Sequence, residues 1–210
     1  MLCRQSEAIR TLYTDMSVDS CKVLVLGDLS YPSAPRQSSL GMIELINACQ
    51  RLGASCTAVT YVGADELGAA VIAELAAMQT TTDIIQLQDW QTVTEERLAG
   101  LDRDATDQLG IPFSTRGECL AHLTNRAEKH LTDADLLIVV DEGLGAVSGT
   151  EALGFLASRA GASSLVVRRV FASDEAAKEY LRVDKVLPSI QSAAIMTWLT
   201  QMLGPLQERA

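Results

Sequence analysis

KVLVLG, Lys22–Gly27, is a continuous apolar run rich in Val and Leu, and its reading decides the fold. A strand with one wet face alternates apolar and polar residues. A run without alternation is buried on both faces, as in a parallel sheet covered by helices on both sides. Working outward, CTAVTYV (Cys56–Val62) and ADLLIVVD (Ala134–Asp141) repeat the pattern, and SLVVRRV (Ser164–Val170) and DKVLP continue it. Helical stretches lie between the strands. One runs from Ser39, as its cap, to Leu52, with Ile43, Leu45 and Ile46 on the buried side and Gly53 closing it. Others are expected over Glu66 to Met78, Gly117 to Leu131, Thr150 to Ala160, SDEAAKEYLR, and Ser189 to about Leu203. Strand and helix in regular alternation demand a parallel sheet with right-handed crossovers, so the class is α/β, a three-layer α-β-α arrangement around a mostly parallel sheet.

Other stretches are less regular. DIIQLQ (Asp83–Gln88) and TVTEERLA (Thr92–Ala99) read as strands, the second alternating and half exposed. DLSYPSAPRQSS after the first strand, and the polar stretch Leu101 to Thr115, read as loops. Residues 1–20 form a polar N-terminal extension in which Met16 is an alternative start. Residues 21–204 read as a single domain and 205–210 as a tail. The last helix presents Met196, Trp198 and Met202 as apolar surface to cover the sheet.

At 210 residues the chain can bury roughly 70% of its unfolded surface without a metal or disulfide staple. A net charge of −10 argues against nucleic acid, because neutralising phosphates takes clustered Lys and Arg and only the pair Arg168–Arg169 stands together. The five cysteines, Cys3, Cys21, Cys49, Cys56 and Cys119, show neither C-x-x-C nor zinc spacing. Cys49 and Cys56 lie in apolar runs and read as buried thiols, which suits a reducing cytoplasm. No apolar stretch is long enough to cross a membrane.

Ligands of open α/β sheets bind beyond the carboxyl ends of the strands. Those ends carry Gly27-Asp28, Gly63-Ala64-Asp65 and Asp141-Glu142-Gly143. Their carboxylates either accept hydrogen bonds from sugar hydroxyls or cap the turns and helices that follow, Asp65 standing where an N-cap belongs. The Gly143-Leu144-Gly145 turn either brings backbone to a phosphate or makes a tight connection. His122 and His130 share one helix face over two turns apart, a packing or solvated arrangement. Glu95-Glu96 and the run Asp102, Asp104, Asp107 read as solvated charge.

These segments, in this order, resemble the ribokinase-like (PfkB) carbohydrate kinases over about Lys22 to Ala194, most of all the heptose-7-phosphate kinase domain of ADP-heptose synthesis. KVLVLGD is similar to the family's opening strand and Gly-Asp. LGMIELINACQRLGASCTAVTYVGADELG is similar to its Gly-Gly-x-x-Asn helix and Gly-x-Asp-x-x-Gly strand end. TVTEERL resembles a lid strand, DEGLGAVS the Asp-Tyr-Gly-Lys-Gly segment, and VLPSIQSAA the Pro-Asn-x-x-Glu-Ala segment.

The resemblance implies a sugar side at Asp28, Gly41, Glu44 and Asp65 and a phosphate side at Asp141, Gly143 and Gly145. It also exposes departures. Pro32 stands at the sugar-binding aspartate, Leu40 at the first glycine of the pair, Glu44 at the asparagine and Glu95 at the lid lysine. Leu144 stands at the lysine between the glycines, and Ser189 and Ser192 at the Asn and Glu that organise nucleotide and metal. No Gly-x-Gly-Asp, the family's source of base and anion hole, occurs in these residues. The expectation is therefore a degenerate kinase-like domain with no catalytic residues, no metal and no cofactor. It would act through binding or oligomerisation as a homodimer, or beside a paralogous kinase subunit, through the lid strands near Thr92–Ala99. The alternative is a carbohydrate kinase or sugar-binding enzyme completed by a partner chain; only that alternative implies ATP and Mg.

Overall fold

The computed structural model describes residues 21–32, 41–98, 109–145, 147, 163–168, 185–188, 197–201 and 203. Among the described residues the elements run in the order β1 (Lys22–Gly27), α1 (Met42–Arg51), β2 (Ser55–Gly63), α2 (Glu66–Ala77), β3 (Thr81–Leu87), α3 (Glu95–Leu98), α4 (Phe113–Leu131), β4 (Leu136–Asp141), β5 (Ser163–Arg168) and β6 (Lys185–Pro188). The strands form one six-stranded sheet in the order β3-β2-β1-β4-β5-β6, every pair parallel.

The missing alternation in β1 and β4 has the expected cause. Val23 and Val25 of β1, with Leu136, Ile138 and Val140 of β4, pack into one core layer beside α1, Val71 and Leu75 of α2, and Trp198, Leu199 and Leu203. Leu24, Leu26, Leu137 and Val139 face the opposite layer, against Leu123, Ala127 and Leu131 of α4. Each strand thus feeds two cores, and helices on both faces shield it. The C-terminal residues around Trp198 cover the sheet as expected; Met196 and Met202 lie outside the described residues.

The crossovers through α1 and α2 carry the chain outward from β1 to β3 along one face. The chain then crosses the other face through α4 and resumes beside β1 with β4. Right-handed connections force this change of face when the direction of strand addition reverses. The reversal leaves a crevice between the carboxyl ends of β1 and β4, where open α/β sheets bind ligands. At its floor Gly27 has φ 134°, a conformation open to glycine, and a Cβ there would lie 2.1 Å from the Val140 carbonyl oxygen.

Several boundaries differ from expectation. The strand expected over Thr92–Ala99 is not one in its described part, 92–98: Thr94 makes an isolated bridge with Tyr31 and Glu95–Leu98 is a helical turn. Its alternation misleads because the buried positions after Thr92 are Val93 and Leu98, a spacing no strand face can supply. The stretch to Thr115 is not loop throughout, since α4 starts at Phe113 behind Pro112, whose extended ψ lets it lead into the first turn. Gly41, not Ser39, is the N-cap of α1; Ser39 lies outside the described residues, as do the helices expected over Thr150 to Ala160 and SDEAAKEYLR.

Candidate functional site

Asp28, the residue that leaves β1, is fully buried. Its Oδ1 accepts the Tyr61 hydroxyl at 2.8 Å. Its Oδ2 accepts two backbone amides of the loop after β4, Glu142 N–H at 3.0 Å and Leu144 N–H at 2.9 Å. A carboxylate out of water needs such donors, since burying it unpaired costs far more than any contact returns. Burial and then the Asp28 charge push the Tyr61 phenol well above its ordinary range, so the hydroxyl stays protonated and donates. The amide between them, Gly143 N–H, donates to Asp141 Oδ1 at 3.0 Å. Positive φ at Gly143 (80°) and Gly145 (97°) gives the loop the curl that turns these amides inward. The loop read as a possible phosphate cradle directs its amides at the chain's own carboxylates.

On the other wall the N-cap of α1 gathers acid. A Cβ at Gly41 would lie 3.2 Å from Glu95 Oε1, 3.3 Å from Glu44 Oε2 and 3.5 Å from Glu142 Oε1. Glu44 and Glu142 are buried. Glu44 and Glu95 are thus brought together by the fold although they come from α1 and α3. Glu142, one of the strand-end carboxylates named from the sequence, joins them and is buried.

Asp65 lies apart from this group. Its Oδ1 accepts Gly68 N–H at 2.7 Å as the N-cap of α2, and Oδ2 accepts Thr92 N–H at 2.7 Å. The Thr92 hydroxyl donates to Oδ1 at 2.9 Å. Desolvation works to raise this carboxyl's pKa, but the amides of Gly68 and Thr92 and the Thr92 hydroxyl outweigh it and hold the group below its ordinary 3.8. The capping alternative for Asp65 is the one the geometry realises, and the same carboxylate fastens the 90–95 segment over the end of β2. The fit is close, for a Cβ on Gly63 would meet the Trp90 carbonyl oxygen at 2.5 Å. Trp90 packs against Tyr61 with ring centroids 5.0 Å apart and ring planes tilted by 57°, and it donates its indole N–H to the Leu109 carbonyl at 3.0 Å. Tyr31 completes the fastening: its N–H donates to Val93 at 2.8 Å and its carbonyl accepts from Glu95 N–H at 2.9 Å.

The remaining candidates sit elsewhere or outside. Pro32 is half-buried beyond Tyr31, while Leu40, Ser189 and Ser192 lie outside the described residues. Arg126 pairs with Asp83 and ties α4 to edge strand β3, with His130 Nε2 3.6 Å from the same carboxylate. A cavity of about 240 Å³ lined by Lys22, Thr57, Thr81 and His130 opens at the amino ends of the strands, away from the crevice.

At the loop after β4 Leu144 stands between the glycines and its amide is given to Asp28, and among the described residues no group of three or more Asp, Glu, His or Cys side chains is placed to hold a metal. Among the described residues no helix is long and apolar enough to cross a membrane.

No family model and no curated protein sequence matches the chain. Solved structures do. A ribokinase from Giardia lamblia superimposes with a TM-score of 0.51 at 15% identity, over 89% of this chain and 66% of that one. A fructokinase from Xylella fastidiosa gives 0.47 at 13% identity, over 88% and 65%, and a PfkB protein from Polaromonas sp. JS666 gives 0.43 at 13%, over 90% and 73%. The fold is that of ribokinase-type carbohydrate kinases, and the chain spans about two thirds of the length of the Giardia enzyme, 66%.

Proposed function

We propose, from a fold shared with ribokinase-type carbohydrate kinases, that this chain is a catalytically inactive sugar-kinase-like domain that acts by binding. The observation that carries the reading is the commitment of Asp28 and of the Glu142 and Leu144 amides to one another. Phosphoryl transfer rests on positioning and on donors free to meet developing charge; here the donors at the central strand end already hold a carboxylate. The resemblance of the motifs to heptose-type kinases supports a link to heptose or cell-surface sugar metabolism, and no cofactor belongs to this reading.

The partner we propose is a second copy or a paralogous kinase subunit, engaged through the 92–98 segment. With Thr92, Val93 and Leu98 buried, the contact face is the charged pair Glu96 and Arg97, both exposed, rather than a strand edge. Light scattering on the purified chain over a wide concentration range tests this; a strict monomer that captures no kinase subunit contradicts it.

A second reading is favoured by the three glutamates that meet at Gly41: acceptors for sugar hydroxyls in an enzyme completed by a partner chain. Calorimetry separates the two. The interaction reading expects no heat with ATP·Mg or with heptose phosphates, and saturable heat with either supports the enzyme.

A further inference from the structure

We propose that the loop after β4 is an anion receptor which the chain fills with its own Asp28 carboxylate, and which accepts a small monocarboxylate such as formate once that carboxylate is removed. Among the described residues three donors converge on the receptor: Glu142 N–H and Leu144 N–H, both on one oxygen at 3.0 and 2.9 Å, and the Tyr61 hydroxyl on the other at 2.8 Å. Backbone amides curled by left-handed glycines form concavities suited to anions, and here Gly143 supplies the left-handed step between the two donors. The occupant is held from the opposite side as well: Asp28 N–H donates to the Val140 carbonyl at 2.9 Å, and Gly27 is pressed against that same carbonyl. The carboxylate is thus delivered by one strand end into donors supplied by the next strand and by its neighbouring strand.

The receptor is dry and preformed. Asp28 and Tyr61 are fully buried and Leu144 is wholly enclosed, so its donors have no water to fall back on. Donors left empty there carry the full cost of an unmade hydrogen bond, and an anion that restores them binds and stabilises by mass action. The inference rests on the geometry and holds whether or not the chain is an enzyme.

The test is Asp28→Ala, which leaves the donors and removes their partner. Thermal melts are followed in sodium formate against sodium chloride of equal ionic strength. The melting temperature of D28A is expected to fall well below wild type and to rise saturably with formate, half-maximally at roughly millimolar concentration, the ceiling for so small a ligand. Wild type, Asp28→Asn and Tyr61→Phe keep an oxygen in the receptor and are expected to show no formate-specific rise. A D28A response equal to that of wild type, or none, overturns the proposal. Should D28A fold in neither salt, amide exchange in the wild type decides. The Glu142 and Leu144 N–H groups are expected to exchange only through global unfolding, and fast exchange at either overturns the receptor. Neither result bears on catalysis, which phosphoryl turnover tests separately.

Discussion

The Tyr61 hydroxyl donates to Asp28 Oδ1 at 2.8 Å across 33 residues of sequence, joining the interior of β2 to the end of β1 inside the core. Because that carboxylate also holds the loop after β4, one phenol braces all three strand ends that frame the crevice. Tyr61→Phe should lower stability by about 1.5–3 kcal/mol, the range for a hydrogen bond to a charged group. At about 2–4 °C per kcal/mol for a domain of this size, the loss is read directly in a thermal melt. A change within error of wild type would mean the phenol contributes nothing.

Alkaline pH acts through the same residue. Tyr61 titrates well above its ordinary value of 10.0 when folded, so the folded state holds its proton where the unfolded state has lost it. The stabilisation is complete below the unfolded value and is lost as pH rises beyond it. Chemical denaturation at stepped pH should show the wild type weakening above about pH 10 more steeply than Tyr61→Phe.

Asp65 sets the acid limb. Its folded pKa lies below the unfolded 3.8, so its contribution is present above that value and disappears as the pH falls through the folded one. Asp65→Ala removes an N-cap, about 1 kcal/mol, and orphans the Thr92 amide, a further 1–3 kcal/mol or so. Asp65→Asn keeps an oxygen for the Gly68 amide but turns its NH2 toward the Thr92 amide, so it should still cost about 1–3 kcal/mol at neutral pH while flattening the loss of stability below about pH 4. Both are checked by urea titration.

Gly27→Ala should be among the most damaging single changes. The added Cβ meets a backbone carbonyl at 2.1 Å in a left-handed conformation, and neither neighbour can yield without breaking the β1–β4 register. A loss above about 4 kcal/mol is expected, seen as insoluble or protease-sensitive protein. A well-folded G27A would contradict the geometry at the crevice floor.

Much of this was legible in the residues. Unalternating runs such as Val23–Leu26 and Leu136–Val140 announce strands buried on both faces, and Asp65 stands three residues before the Gly68 amide it caps, a local pattern. The 92–98 segment was misread because Thr92, Val93 and Thr94 satisfy a two-residue period locally. Tertiary fastening at Asp65 and Tyr31 then overrides it. The role of Asp28 was illegible for a plainer reason: its amide partners lie 114 and 116 residues away, and backbone donors leave no mark in side-chain identity. The meeting of Glu44, Glu95 and Glu142 needed three separate elements in place before it existed.

The thiols offer a check on the core. Cys21, Cys49, Cys56 and Cys119 are buried and free. Burial, then the Asp135 charge, pushes Cys21 up to about 11. Contact with Cys56, then burial, raises Cys49 further. Thiolate is the reactive form, so peptide mapping after iodoacetamide should find these four unmodified in native protein and labelled in urea. Rapid native labelling of Cys49 would mean the layer under α1 is open.

Phosphoryl turnover tests the inactive reading most directly. Purified chain incubated with ATP·Mg and a panel of sugar and sugar-phosphate acceptors is predicted to release no more ADP than buffer does, with or without acceptor. Acceptor-dependent ADP release that disappears in Asp141→Asn would contradict it.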